Sequence, residues 1–129
     1  MSNESVLRID LDSPIPVTRQ IVDQLRVQLV EDRLRAGDAL PSVRRLAIDL
    51  GVHFNTVADA YRLLGSEGWL DITQGRPAVV RGRSTPAASS ETRHQFKQRL
   101  LELVAEARAQ GVTPTALARD LAAILETLK

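Results

Sequence analysis

The stretch Val43–Arg62 has the sequence VRRLAIDLGVHFNTVADAYR, and it decides the fold of this 129-residue chain. Ser42, just before it, suits the N-cap of a helix, so a short helix is predicted over 43–50. Gly51 can adopt the positive φ that a sharp turn requires, and a second helix is predicted over 54–66. The positions that such a pair of helices needs to be apolar or small are Leu46, Ala47, Leu50, Val52, Val57 and Ala60. This spacing is typical of a helix-turn-helix.

The residues before this stretch predict a strand and a longer helix. Apolar and polar side chains alternate through Leu7–Leu11, and this period of two predicts a short strand. Further on, an apolar residue recurs at every fourth position. A helix is therefore predicted from about Pro16 to about Leu34, with Gly37 as its C-terminal cap.

The residues after the second helix predict a β-hairpin. The ranges 69–72 and 78–81 have the composition of short strands, and the five residues between them are turn formers around Gly75. A hairpin in this position corresponds to the wing of a winged helix-turn-helix. We therefore predict a winged helix-turn-helix domain over 1–83 that is mainly α with a small β wing at about 69–81.

The remaining residues predict a linker and two helices. Residues 84–90 have no apolar periodicity, which indicates a linker. Helices are expected over about 91–110, capped by Ser90, and from Thr113 onward, so that 91–129 forms a helical hairpin. Each helix has an apolar stripe that the other can cover only in part, and an isolated hairpin of this size is marginally stable. The surplus apolar surface predicts either a homodimer formed through the C-terminal helices, which is favoured, or docking of these helices on the first domain.

The composition excludes several classes of protein. The chain has no Cys and two His that lie far apart in sequence, so disulfides, thiolate zinc sites and a Cys nucleophile are excluded and no metal site is expected. No apolar run approaches the ~18 residues of a membrane helix, and the first residues lack the pattern of a signal peptide. We therefore expect a soluble cytoplasmic protein that has no membrane partner.

Nothing in the sequence indicates an enzyme. It has no phosphate-binding loop, no Ser-His-Asp arrangement and no pair of carboxylates with a reason for a raised pKa. Asp49 and His53 are four residues apart, but Gly51 interrupts the helix between them. A surface pair or two solvated side chains are expected there rather than a catalytic dyad, and no cofactor is predicted.

The basic excess of the chain lies where the helix-turn-helix lies. The formal net charge is only +1, yet residues 41–83 contain six Arg against four acidic residues. Arg offers a planar set of donors suited to phosphate and guanine, so this excess permits nucleic-acid binding without requiring it. A protein-interaction module built on the same winged fold is therefore the alternative function.

A DNA-binding function would use the N-terminal end of the helix 54–66, which enters the major groove first. Asn55 can pair with adenine, Thr56 can contact a base edge or a thymine methyl group, and His53 can donate to a base acceptor or a phosphate. The competing interpretation is that Asn55 and Thr56 are solvated residues of a first turn. Phe54 either packs on the domain or contacts thymine methyl groups, and packing is expected.

Phosphate contacts are expected on either side of this helix. Ser42 and Arg44 stand at the N-terminus of the first helix, where backbone N–H groups and the Arg charge attract phosphate. Ser42 can equally act only as a cap. Gly75 lets the tip of the wing approach DNA closely, and Arg76 beside it can reach the backbone or the minor groove.

Several of these motifs, in the same order, resemble the GntR family of bacterial transcription regulators. They are Leu40-Pro41-Ser42-Val43-Arg44-Arg45-Leu46-Ala47, Leu50-Gly51-Val52, Asn55-Thr56-Val57, Ala60-Tyr61-Arg62, Glu67-Gly68-Trp69-Leu70 and Gly75-Arg76-Pro77. The resemblance covers about residues 9–81. The two C-terminal helices are similar in length and pattern to the YtrA subfamily, in which a helical hairpin replaces a larger ligand-binding domain.

The resemblance implies a repressor that binds a two-fold operator as a homodimer, often in control of a transporter operon. It carries the DNA contacts of the family onto Ser42, Arg44, His53, Asn55, Thr56, Gly75 and Arg76. The sequence departs from the family at Phe54, where many members have a basic residue, and at Ala58, where some have Arg. Neither of those contacts carries over. The C-terminal helices have little room for a closed pocket, so a small-molecule effector is not excluded but would have to bind at the dimer seam or between the domains.

Overall fold

The computed structural model describes residues 7–82 and 87–128. The chain divides into two compact units, Met1–Arg83 and Ser84–Lys129. In chain order the elements are α1 Val17–Val30, α2 Val43–Leu50, α3 Phe54–Ser66, β1 Leu70–Asp71, β2 Val79–Val80, α4 Ser90–Ala109 and α5 Pro114–Thr127. The predicted class, mainly α with a small antiparallel sheet and two C-terminal helices, is confirmed.

The first unit has a core to which its three helices and the wing all contribute. α1, α2 and β1 each pack against α3. The large side chains with the least exposure are Ile21, Val22 and Leu25 of α1, Val57 and Leu64 of α3, and Leu70 of β1. Arg26 of α1 pairs with Glu67 at the end of α3, and this hydrogen bond raises the pKa of Arg26. The apolar core, which supplies most of the driving force for folding, fixes the faces of α2 and α3 that remain outside.

The pair α2 and α3 matches the prediction, since both helices have the expected bounds. Gly51 ends α2 with a φ of 69°, in the left-handed region. That conformation costs a residue with a side chain about 1–2 kcal/mol. Ala47 is buried, and its small side chain lets α3 cross close to α2. The helix-turn-helix is thus present where the sequence predicts it.

α1 is shorter than predicted, because it ends at Val30 instead of near Leu34. The N–H groups of Arg33 and Leu34 close its last turn by donating to the carbonyl of Gln28, at 2.9 and 3.2 Å. Asp32, just before them, has a φ of 58° and turns the chain. Leu34 is thereby buried in the core, and the gain from this burial is the physical reason for the early end of the helix.

The N-terminal segment does not form the strand predicted over Leu7–Leu11. Among the described residues it has no neighbouring strand, and two glutamine side chains of α1 pair with its backbone instead. Gln24 accepts the N–H of Arg8 at 2.9 Å and donates to the Arg8 carbonyl at 2.7 Å. Gln20 makes the same two bonds with Asp10, both at 2.9 Å. A glutamine amide has the donor and the acceptor of a peptide group, so it satisfies this backbone as a strand would.

β1 and β2 pair antiparallel, and each is one residue shorter at both ends than predicted. The segment 37–40 lies along the other edge of β2. Gly37 donates to the carbonyl of Val80 and Leu40 donates to that of Ala78, both at 2.8 Å. Gly37, expected to cap α1, instead begins this pairing segment with a φ of 94°. The pairing attaches the base of the wing to the helical core.

The second unit begins its first helix slightly earlier than predicted. α4 starts at Ser90, the last residue of the predicted linker 84–90, because Ser89 rather than Ser90 is the cap. The Ser89 hydroxyl accepts an N–H of the first turn at 3.1 Å. This cap places Glu91 in the first turn, where its charge is favourable with the helix dipole. Residues 84–86 of the linker lie outside the described residues.

α4 and α5 leave their apolar stripes uncovered. Neither helix has a buried residue, and over the described part of this unit the two helices do not pack along their lengths. The large exposed apolar side chains are Phe96, Leu100, Leu101 and Leu103 of α4 and Leu121, Ile124 and Leu125 of α5. Each helix therefore buries less of the other's apolar stripe than expected, because the two helices share no core in the described part of this unit. No described helix is long and apolar enough to cross a membrane.

Candidate nucleic-acid interface

The N-terminus of α2 presents an available cation beside a capped helix end. Ser42 is the cap, and its hydroxyl accepts the N–H of Arg45 at 3.0 Å. The side chain of Arg45 pairs with Asp49 at 3.3 Å. Arg44 is exposed, and no acidic side chain in the described ranges pairs with it. Its guanidinium is thus available to a phosphate, at a helix end whose N–H groups attract anions.

His53 caps α3, a role that was not predicted from the sequence. Its Nδ1 accepts the N–H of Asn55 at 3.0 Å. An accepting Nδ1 places the ring hydrogen of the neutral imidazole on Nε2, so Nε2 is a donor. The side chain of Asn55 is exposed and that of Thr56 is half-buried. The only local signal for the cap is a side chain with an acceptor directly before the helix, and histidine is not among the preferred caps.

The core fixes which face of α3 points outward. The predicted inward positions are all buried, and they are Val57, Ala60, Tyr61 and Leu64. Asp59, which is exposed, forms an ion pair with Arg62 one turn further along. A carboxylate that would otherwise repel phosphate is therefore compensated by a neighbour on its own helix.

The tip of the wing is a tight turn with a second available cation. The N–H of Arg76 donates to the carbonyl of Thr73 at 3.0 Å. Gly75, in the third position of the turn, has a φ of 81°, as a type II turn requires. Open space surrounds Gly75, since no atom lies within 4 Å of the place where a Cβ would stand. Arg76 is exposed and pairs with no acidic residue that the structure describes.

The candidate residues thus lie at three places in the first unit: the N-terminus of α2, the N-terminus of α3 and the tip of the wing. They are Ser42, Arg44, His53, Asn55, Thr56, Gly75 and Arg76, and all but Thr56 are exposed. Their contact with DNA stays a prediction. Asp49 and His53 form no dyad, because Asp49 pairs with Arg45 and His53 caps α3. Within the described ranges no group of acidic and histidine side chains could hold a metal ion.

Phe54 is placed differently from the expectation that it packs on the domain. It is the first residue of α3, and 49% of it is exposed. Together with Arg44 and Ile48 of α2 it lines a shallow hollow on the surface. The buried stripe of α3 starts only at Val57, and Phe54 lies outside it.

Comparison with known proteins points to one family. Residues 17–80 match the family model described as bacterial regulatory proteins, gntR family. The chain is 30% identical over 107 residues to the HTH-type transcriptional repressor YtrA of Bacillus subtilis, which covers 83% of this chain and 82% of that protein. It is 38% identical over 120 residues to the HTH-type transcriptional regulator Rv1152 of Mycobacterium tuberculosis, covering 89% and 90%. Other curated relatives are much longer, and the chain spans only 14% and 16% of two of them.

A solved structure extends the similarity to the fold. YtrA from Sulfolobus acidocaldarius, described as a GntR-family transcription factor, is 35% identical to this chain with a TM-score of 0.61. The match covers 78% of this chain and 99% of that one. The family model matches the winged helix-turn-helix unit, and the Bacillus subtilis relative matches over most of both chains. This protein therefore belongs to the gntR family of bacterial regulatory proteins.

Proposed function

We propose that this protein is a transcription regulator that binds operator DNA sequence-specifically and acts as a repressor. The observation that carries the proposal is the exposed N-terminal end of α3, with Asn55 at its first turn and the exposed cation of Arg44 at the neighbouring helix end. The Bacillus subtilis relative is named a transcriptional repressor and the Sulfolobus acidocaldarius relative a transcription factor, which supports this function. We propose no catalytic activity.

In the proposed complex α3 enters the major groove with its N-terminus first. The amide of Asn55 pairs with adenine, and the hydroxyl of Thr56 contacts a base edge. The ring of His53 is oriented by its cap, in which Nδ1 accepts the N–H of Asn55. Its Nε2 donates to a base acceptor or a phosphate. Because the opposite face of α3 is buried in the core, the helix that carries these groups is held in one orientation before DNA binds.

Phosphate contacts set the position of α3 in the groove. One phosphate binds at the start of α2, where it contacts the backbone N–H groups and the guanidinium of Arg44. Ser42 lies at the same helix end. Arg76 reaches the backbone or the minor groove from the wing, and Gly75 keeps the turn clear of side-chain atoms. These contacts supply affinity for any sequence, whereas Asn55 and Thr56 supply the preference.

A second copy of the chain covers the exposed stripes of α4 and α5 in this proposal. Two α-helical segments without a buried residue are not stable by themselves, and their exposed leucines and isoleucine suit a partner with the same stripes. A homodimer presents two copies of α3, so the operator is expected to be two-fold, with half-sites about 10 bp apart or a multiple of that. This function places the protein in the cytoplasm, with the DNA.

The experiment for DNA binding is selection of bound sites from random DNA with the full chain. We expect enrichment of a two-fold sequence whose affinity falls steeply between ~50 and ~200 mM salt, because phosphate contacts release counterions. Recovery of no preferred sequence would overturn the proposal, and clean capture of a protein instead would favour the protein-interaction alternative.

The experiment for the dimer is sedimentation of the full chain at micromolar concentration. We expect a dimer, and we expect Leu100→Glu, on the exposed stripe of α4, to weaken the dimer by tenfold or more, about the effect of burying one leucine side chain in the interface. Leu11→Glu is the matched control, since Leu11 is 76% exposed in the first unit. A stable wild-type monomer, or equal effects of the two variants, would contradict this assembly.

A further inference from the structure

Two large apolar side chains are exposed together beside the candidate interface. Ile48 of α2 is 71% exposed and Phe54 of α3 is 49% exposed. Both line the same shallow hollow, and Arg44 lines it with them. The core does not need either side chain, because α2 and α3 bury other positions. Exposed apolar side chains that lie side by side make this hollow a candidate binding surface.

The position of Phe54 indicates which molecule binds in this hollow. It lies between His53 and Asn55, at the end of α3 that enters the major groove in the proposed complex. The hollow is therefore continuous with the proposed DNA interface, and the cation of Arg44 at its border suits the charge of DNA. In the major groove of unmodified DNA the apolar group that bases present is the 5-methyl of thymine.

We propose that Phe54 reads thymine, by packing its ring against the 5-methyl group while Ile48 forms the other wall of the hollow. This inference rests on the proposed function and adds a specificity-determining residue to it. Cytosine at the same position has no methyl group, and its amino group stands where thymine has the O4 carbonyl, so the methyl group is the apolar difference between the two bases. Phe54 therefore favours a T·A pair over a C·G pair at one position of each half-site.

The test replaces each thymine of the selected operator, one at a time, by deoxyuridine, which removes only the methyl group. Affinities are measured by fluorescence anisotropy with the full chain. We expect one thymine in each half-site at which the replacement weakens wild-type binding about fourfold, the effect of one buried methyl-sized group. For Phe54→Ala we expect thymine and deoxyuridine to bind equally at those positions.

Two further variants separate a specific contact from a general loss. Phe54→Leu keeps an apolar side chain and is expected to retain part of the thymine preference. Leu63→Ala is the matched control, because Leu63 is an exposed leucine nine residues further along α3, and it is expected to keep the wild-type pattern. Thermal unfolding of each variant checks that α3 remains folded.

The outcomes distinguish this inference from the proposed function. Wild-type insensitivity to deoxyuridine at every thymine would overturn the inference while leaving operator binding intact. The same holds if Phe54→Ala keeps the wild-type sensitivity. If selection yields no operator, the proposed function and this inference fall together.

Discussion

The hydroxyl of Tyr61, in the middle of α3, donates a hydrogen bond of 2.7 Å to the carbonyl of Pro41, two residues before α2. Tyr61 is buried, and this burial raises the pKa of its hydroxyl. The bond ties α3 to the residue that precedes the Ser42 cap. The end of α2 that carries Arg44 and the helix that carries Asn55 are therefore held together by a buried polar contact as well as by the core.

Replacing Tyr61 by Phe tests this contact. The substitution keeps the ring but leaves the Pro41 carbonyl without its donor, so we expect a loss of about 1–3 kcal/mol in the free energy of unfolding. The measurement is urea unfolding followed by circular dichroism. An unchanged urea midpoint would show that water satisfies the carbonyl and that the bond contributes nothing to stability.

Gly51→Ala tests the turn between α2 and α3. Apart from the adjacent residues, no atom of the described chain lies within 4 Å of the added Cβ, so the cost comes from the left-handed backbone, and we expect about 1–2 kcal/mol of destabilisation. Gly82→Ala is the matched control, because Gly82 also has open space around it but lacks a positive φ. Equal unfolding midpoints for the two variants would contradict a strained turn.

Arg44→Ala and Arg45→Ala test which arginine at the start of α2 contacts phosphate. Arg45 is engaged with Asp49, whereas Arg44 has no acidic partner in the described part of the chain. We expect Arg44→Ala to weaken operator and random DNA by similar factors and to lower the salt slope of the log affinity by about 0.9. Arg45→Ala should change that slope little. If Arg45→Ala lowered the salt slope more than Arg44→Ala, then Arg45 and not Arg44 would be the arginine that contacts phosphate.

Asn55→Ala tests base reading by α3. The cap of His53 involves the backbone N–H of Asn55 and not its side chain, so the helix should remain intact. We expect a loss of about 1–3 kcal/mol on the operator and little change on random DNA, with the preference blurred at one or two base pairs. Equal losses on both DNAs, measured by anisotropy titration, would remove Asn55 from the base-reading set.

Prediction from the sequence succeeded where structure depends on neighbouring residues. Ser42 and Gly51 mark the ends of α2 by their local chemistry, and the apolar period of α3 selected the face that is buried. The prediction was wrong where a residue distant in sequence determines the local structure. α1 ends early because Leu34 enters the core, and the segment over Leu7–Leu11 is no strand because glutamines of α1 occupy its backbone groups.

The candidate site shows the same division. The residue types of Arg44 and Asn55 and their places at helix N-termini are visible in the sequence, and the structure places both on the surface. The cap made by His53 depends on a ring orientation, and the exposure of Phe54 depends on which positions the core has already filled. Neither property has a local signal strong enough to predict.

The sequence by itself determined the helix-turn-helix, the wing and the family, because apolar periodicity, caps and turn glycines act over a few residues. Only the tertiary structure decided that Arg26 of α1 pairs with Glu67 at the end of α3, and that Phe54 and Ile48 share an open hollow. Pairing and exposure depend on groups that folding brings together from different elements. No spacing along the chain specifies them, since they follow from how the core closes.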